Sequence, residues 1–154
     1  MSDLKARLRA DLTAAIKGRD ELATATLRMA LAAVTTEEVA GTQARELSDE
    51  EVVRVLIREA KKRREAAEAF SAAGRTELAD RERAEGGVLD RYLPTQLSDA
   101  EVADLVRAAI AETGATGPAE LGAVMRVVQP RAAGRAEGRR LADEVRRQLT
   151  AGGG

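Results

Sequence analysis

The chain contains no cysteine and no histidine in its 154 residues. The absence of cysteine excludes disulfide bonds and thiolate metal sites. The absence of histidine removes the commonest metal ligand and the commonest general base at neutral pH. We therefore expect no metal and no cofactor, and the composition is compatible with a reducing compartment.

Aromatic residues and long apolar runs are also scarce. Phe70 and Tyr92 are the only aromatic residues, too few to read single-stranded RNA by stacking bases on rings. The longest apolar run, residues 29–34, is far too short to cross a bilayer. Charged residues near the N-terminus exclude the apolar segment of a signal peptide. We expect a cytoplasmic protein with no membrane partner.

Charge is balanced overall but uneven along the chain. The formal net charge is -1, so we expect no DNA binding of the polybasic kind. From residue 126 onward, however, seven arginines face only three acidic residues. The arginines are Arg126, Arg131, Arg135, Arg139, Arg140, Arg146 and Arg147. A basic C-terminal region of this kind indicates an anionic partner.

The sequence predicts helices throughout. Alanine, leucine, glutamate and arginine dominate, and no alternating β-branched pattern persists. The predicted helices cover roughly residues 3–17, 20–39, 49–73, 76–92, 98–113, 118–129 and 136–149. We predict an all-α fold, with a four-helix bundle in residues 1–93 followed by a three-helix bundle in residues 94–154.

Local signals define the ends of these helices. Ser48 and Ser98 are each followed three positions later by glutamate, a pattern typical of a capping box. Pro94 ends the fourth helix and marks the domain boundary, and Pro130 is expected to stop the sixth helix. The Gly86-Gly87 pair lowers helix propensity within the fourth helix, so we consider a kink or break there.

Several motifs follow one another in a defined order along the chain. They are Arg58-x-x-Lys61-x-Arg63-Arg64, Phe70-x-x-Ala73-Gly74-Arg75-x-x-Leu78, Tyr92-Leu93-Pro94-x-Gln96-Leu97-Ser98, Leu121-Gly122-x-Val124-Met125, Pro130 and Gly134-Arg135-Ala136-Glu137-Gly138. Together they resemble the YqeY-like family and the tail module of the B subunit of the tRNA-dependent amidotransferase. The resemblance implies four helices followed by three, with tRNA contact and no catalysis, as in the amidotransferase tail.

The turn around Arg135 is the main candidate for RNA binding. Gly134 and Gly138 bracket it, and backbone amides at a turn that opens a helix are good phosphate donors. Arg135 would add a bidentate phosphate contact. In the family, lysine is more usual at this position, and the exchange keeps the charge. The alternative is that the glycines only permit a tight turn and that Arg135 is solvated.

Further RNA-binding candidates lie on either side of this turn. They are Arg126, Arg131, Arg139 and Arg140. Arg126 stands where the family usually has a small residue. The alternative for Arg139 and Arg140 is neutralisation by Asp143 and Glu144, which follow them by four positions.

Three other features are interpreted structurally. Residues 61–64 form the densest basic run, which we interpret as a solvated helix surface with ion pairs along the helix. Leu121, Val124 and Met125 have the spacing of core residues. The ring of Tyr92 is expected to be buried, with its hydroxyl hydrogen-bonded.

Catalysis is not expected. The chain lacks the residues of a nucleophilic triad, the glycine- and serine-rich segment of an amidase, and a phosphate-binding glycine loop. The first hypothesis is a non-catalytic tRNA-binding protein, whose affinity should fall steeply with salt. One alternative is a protein-interaction module that docks on an amidotransferase, an aminoacyl-tRNA synthetase or another copy of itself, with weaker salt dependence. Another is an accessory factor in glutamine-dependent carbon–nitrogen ligation, with catalysis supplied by a partner.

Overall fold

The computed structural model describes residues 2–152, and every regular element in that range is helical. The elements are α1 (Asp3–Lys17), α2 (Glu21–Glu38), α3 (Asp49–Ala72), α4 (Thr76–Asp90), α5 (Asp99–Thr113), a 3-10 helix (Pro118–Glu120), α6 (Leu121–Ala132) and α7 (Gly138–Ala151). The prediction of an all-α fold is confirmed. Within the described range, no helix is both long enough and apolar enough to span a membrane.

The chain divides into two compact units, Met1–Leu93 and Pro94–Gly154. The first contains α1 to α4 and the second contains α5 to α7 with the 3-10 helix. Each unit has its own apolar core. In the first unit, one nearly fully buried leucine comes from each helix: Leu8, Leu27, Leu56 and Leu89. Burial of each such side chain contributes about 2 kcal/mol to stability.

Tyr92 joins the first core, with its ring buried and its hydroxyl hydrogen-bonded, as predicted. The hydroxyl donates to Asp11 Oδ2 at 2.6 Å, and the Arg7 guanidinium lies 4.7 Å from the ring centroid. Burial and the Asp11 carboxylate together raise the pKa of Tyr92 to about 12. These contacts fasten the segment after α4 to α1.

The predicted helix caps are confirmed. The Ser48 hydroxyl accepts from the Glu51 amide at 3.2 Å, and the Glu51 carboxylate accepts from the Ser48 amide at 3.2 Å. Ser98 and its partner three residues later form the same reciprocal pair. By contrast, the break considered at the Gly86-Gly87 pair is absent, because α4 continues through both glycines. The buried side chains of the next two residues hold its last turn in the core.

The basic run at residues 61–64 is only partly the solvated surface expected. Its two lysines pair with glutamates of the same helix, as predicted. Arg63, however, has a side chain that is only 21% exposed and lies within 4.0 Å of the carboxylates of Glu59, Glu82 and Glu85. The interpretation as a solvated residue is therefore wrong for Arg63, which joins α3 to α4 electrostatically.

The core of the second unit is rich in valine. Its fully buried valines are Val106, Val124, Val128 and Val145. Leu121 and Met125 pack against them, which confirms their assignment to the core. The expected end of the sixth helix before Pro130 is wrong, since α6 continues to Ala132. Proline removes one helical hydrogen bond, and burial of Ala132, which is 1% exposed, favours the additional residues of helix.

A buried ion pair fastens α1 to the end of α2. Lys5 Nζ lies 2.7 Å and 3.0 Å from the carboxylate oxygens of Glu38, and the two residues are 7% and 9% exposed. Glu38 also accepts from the Leu47 amide at 3.3 Å, which holds the loop before α3. The hydrogen bond from Lys5 is the main reason why the pKa of Glu38 lies below its ordinary value.

We predict that Lys5→Met lowers the unfolding free energy of the first unit by about 3 kcal/mol, because it leaves a buried carboxylate unpaired. Urea denaturation at pH 7 measures this. The double variant Lys5→Met/Glu38→Gln should recover most of the loss, since it removes both charges and keeps an acceptor for the Leu47 amide. Lys61→Met, which breaks an exposed pair, is the matched control. Equal losses in Lys5→Met and Lys61→Met would contradict this account.

The same pair predicts a pH dependence. Because the folded-state pKa of Glu38 is lowered, the pair stabilises the fold above the unfolded pKa of about 4.3. This contribution is lost as the pH falls through the folded pKa. Between about pH 5 and pH 3, the parent protein should therefore lose more unfolding free energy than Lys5→Met/Glu38→Gln. Parallel curves for the two proteins would show that the pair contributes nothing to acid stability.

Candidate nucleic-acid interface

The turn between α6 and α7 reverses the chain through two consecutive left-handed residues. Ala133 has φ 50° and Gly134 has φ 76°. The Arg135 amide then donates to the Ala132 carbonyl oxygen at 2.8 Å. Only glycine adopts the left-handed region without steric cost, which explains the need for Gly134. α7 begins at Gly138, two residues later than predicted, because Glu137 is still extended at φ -65° and ψ 146°.

The turn is hydrogen-bonded to the segment that enters α5. The Leu97 amide donates to the Arg135 carbonyl oxygen at 2.7 Å, and Arg135 Nε donates to the Thr95 carbonyl oxygen at 2.8 Å. From α7, Arg140 donates to the Leu97 carbonyl oxygen at 2.7 Å and to Asp99 Oδ1 at 2.8 Å. We call these four hydrogen bonds the entry clamp.

The entry clamp changes the interpretation of Arg135. Its side chain is half-buried, and its Nε donates to a backbone carbonyl oxygen, so the fold holds one side of the guanidinium. Its two terminal nitrogens have no hydrogen-bond partner among residues 2–152. The same guanidinium is therefore positioned by a backbone carbonyl and still offers a two-nitrogen edge, which suits bidentate binding of a phosphate.

Two other candidate arginines are engaged within the unit. Arg131 of α6 pairs with Glu112 of α5, and this hydrogen bond lowers the pKa of Glu112. Arg140 contributes two hydrogen bonds to the entry clamp. Both guanidiniums are therefore paired with a carboxylate, Glu112 or Asp99, which offsets their charge toward an incoming phosphate.

The expected neutralisation of Arg139 and Arg140 by the acidic residues four positions later is wrong. Asp143 instead accepts from Arg146 at 3.2 Å, and Glu144 accepts from Arg147 at 2.9 Å. An arginine placed before its acidic partner on a helix is the less favourable order, and both acids have an arginine three residues after them. Arg139 therefore forms an ion pair with neither Asp143 nor Glu144.

Arg126 and Arg139 are the unengaged arginines of this region. Both are exposed, and neither side chain makes a hydrogen bond or ion pair with the described part of the chain. The two helices meet where a Cβ on Gly138 would be 3.5 Å from Gln129 Nε2, and we call this contact the α6–α7 seam. Arg126 precedes Gln129 by about one helical turn, and Arg139 directly follows Gly138. One free arginine therefore comes from each helix, close in sequence to the seam.

The first turn of α7 adds to the positive character of this seam. It contains no acidic residue, and no side chain caps its amides. The amides of a first helical turn lack partners within the helix and carry partial positive charge. Gly138 is exposed at this point, and the fold would tolerate a Cβ there at ordinary contact distance. Gly134 is required by the turn, but Gly138 is not.

Some functional features could not be found from sequence. The acceptors of the entry clamp include the backbone carbonyl oxygens of Thr95 and Leu97, which carry no residue-type signal. In the sequence, Asp99 is recognisable only as the first helical residue after the Ser98 cap. In the described part of the chain, no group of three or more potential ligands is arranged to hold a metal ion.

The chain as a whole matches one protein family. A sequence model of the family described as Yqey-like protein aligns with residues 5–149. This range covers nearly all of α1 and α7 and every helix between them. No curated protein matches the chain.

We predict that Arg140→Ala loosens the entry clamp. The Leu97 amide should exchange with deuterium faster in this variant, because Leu97 loses its second contact with the α7 side of the clamp. Arg146→Ala, which removes only a surface pair on the same helix, is the control and should leave exchange at Leu97 unchanged. Unchanged exchange of the Leu97 amide in Arg140→Ala would show that the α6–α7 turn holds the segment before α5 without the Arg140 side chain.

Proposed function

We propose that this chain, which belongs to the YqeY-like family, is a non-catalytic tRNA-binding helical protein that uses its second unit to contact phosphates. One observation carries the proposal. In the second unit, Arg126 and Arg139 are unengaged, whereas all six other described arginines have an acceptor within the unit. One of the two free guanidiniums comes from each of the helices α6 and α7, which pack against each other.

The chemistry of the second unit favours phosphate over base recognition. Residues 94–154 include no aromatic side chain, so this unit offers no aromatic ring on which bases could stack. Double-helical RNA is recognised mainly by shape and by contacts to phosphates and 2′-hydroxyls. A set of arginines with free donors suits this mode, because guanidinium binds phosphate through paired hydrogen bonds. We assign Arg126, Arg139 and the terminal nitrogens of Arg135 to the contact set.

The resemblance to the amidotransferase tail supports tRNA as the RNA concerned. In that tail, tRNA contact occurs without catalysis, and this chain carries the corresponding turn as Gly134-Arg135-Ala136-Glu137-Gly138. Arg131 and Arg140 are left outside the contact set, because their guanidiniums bind Glu112 and the entry clamp. Glycine at position 134 contributes through the turn conformation.

The alternative of a protein-interaction module has weaker support. The large exposed apolar side chains of the described residues are Ile16 in α1, Val39 directly after α2 and Leu78 in α4, all in the first unit. Single exposed apolar residues are normal on protein surfaces. An accessory role in glutamine-dependent carbon–nitrogen ligation would need a partner to supply catalysis, and loss of ligation turnover on depletion of this protein would support it.

We predict that the full-length protein binds fluorescently labelled bulk tRNA in an anisotropy titration, and that its affinity falls steeply with salt. Each of Arg126→Ala and Arg139→Ala should weaken binding to all tRNAs alike and lower the slope of log affinity against log salt by about one. Arg146→Ala, whose arginine is paired with Asp143, is the matched control and should keep the parent slope.

Three results would count against this proposal. Absence of tRNA binding at low salt would remove tRNA as the partner. Binding that is insensitive to salt would indicate an apolar docking surface and so favour the protein-interaction alternative. If the slope changed equally in Arg139→Ala and Arg146→Ala, the loss would reflect net charge rather than a contact at the seam.

A further inference from the structure

The exposed face of α6 around Arg126 consists mostly of small or uncharged residues, and Arg126 is its one charged residue. Its exposed residues on this side are Gly122, Ala123, Arg126, Gln129 and Pro130. α6 contains two arginines and no acidic residue, and the other arginine, Arg131, is paired with Glu112. The surface around Arg126 is therefore built from small or uncharged side chains of α6.

Gly122 has no evident role in the fold. It lies inside α6, where glycine is less favourable than alanine, and it is exposed. A Cβ placed on Gly122 would meet no atom within 4 Å. Among the described residues, the glycines with positive φ are Gly74, Gly114 and Gly134. Gly122 is not one of them, and its backbone is helical. Neither close packing nor backbone conformation within the unit requires glycine here.

We propose that Gly122 is the point at which the sugar–phosphate backbone of the bound RNA comes closest to α6, with Arg126 pairing a phosphate one turn further along the helix. The proposal rests on the function proposed above and identifies its contact surface. Residues four positions apart lie on the same helix face, so Gly122 and Arg126 are neighbours there. Glycine is typical of positions where a ligand approaches the backbone closely.

Charge complementarity favours a polyanion as the occupant, and the function proposed above identifies that polyanion as RNA. An unengaged guanidinium on a helix without carboxylates attracts a polyanion and offers nothing to a basic surface. Gly87 in α4 provides the contrast, because it is also exposed and its Cβ would also meet nothing within 4 Å. Its own helix, however, carries Asp80 and Asp90 around that position. The exposed glycine of α6 therefore lies on a helix without carboxylates, whereas the exposed glycine of α4 lies on a helix that carries them.

A side chain at position 122 should affect stability and binding in opposite directions. Gly122→Ala should raise the midpoint of thermal unfolding of the second unit by about 4 °C, because alanine favours helix. At the same time it should weaken binding of labelled tRNA severalfold, and Gly122→Leu should weaken it by about tenfold or more. A purely structural role would not produce a more stable protein that binds less well.

Gly87→Ala is the matched control, since it adds the same methyl group to an exposed helical glycine in the first unit. It should raise thermal stability and leave tRNA affinity unchanged. Circular dichroism verifies that each variant remains helical. The salt slope should stay near the parent value in Gly122→Ala, because no charge is removed, whereas it falls in Arg126→Ala.

The outcomes separate this inference from the proposed function. If the parent protein binds tRNA and both Gly122 variants bind equally well, tRNA binding stands and the assignment of α6 is wrong. If Gly87→Ala weakens binding as much as Gly122→Ala, the effect is not local to α6, and the inference is likewise wrong. If the parent protein does not bind tRNA at low salt, both the function and the surface assigned to it fail.

Discussion

The hydrogen bonds between the α6–α7 turn and the segment that enters α5 are the constraint on which the second unit depends. Arg135 and Arg140 donate to backbone carbonyls 40 and 43 positions away, so they join parts of the unit that helix formation alone would not bring together. The clamp thereby ties the start of α7, which carries Arg139, to the segment that enters α5. The part of the surface assigned to RNA that α7 contributes depends on this internal contact.

The arginines of the second unit therefore divide by what their guanidiniums meet. Arg131 and Arg140 have carboxylate or carbonyl acceptors and stabilise the unit, whereas Arg126 and Arg139 have none. Arg135 belongs to both groups, since one nitrogen holds Thr95 while the others remain available. In a chain of nearly balanced charge, an unpaired arginine is more informative than the total number of arginines. The net charge of -1 alone gives no indication of an anionic partner.

Features that depend on residues close together in the sequence were predictable, and features that depend on contacts between distant segments were not. Helix positions and the caps at Ser48 and Ser98 depend on residues within one turn of each other, so sequence spacing was sufficient. The errors at Pro130, Arg63 and Arg140 share a cause, which is that each depends on another helix. Core packing carries α6 past its proline, carboxylates of α4 surround Arg63, and the α5 entry engages Arg140. The family motif located the RNA candidates but could not show which arginines were occupied.

Gly122 illustrates how sequence and structure together identify a candidate contact residue. The sequence shows a glycine within a predicted helix, which is a cost to stability, but glycines are also placed in helices to relieve close packing or to adopt left-handed backbone. Only the structure removes those explanations, because the added Cβ would meet no neighbour and the backbone is helical. A residue that weakens its helix and relieves no contact within its own unit requires a reason outside that unit. Beside an unpaired Arg126 and without any carboxylate on α6, the reason that fits the charges is a phosphate backbone lying against the helix.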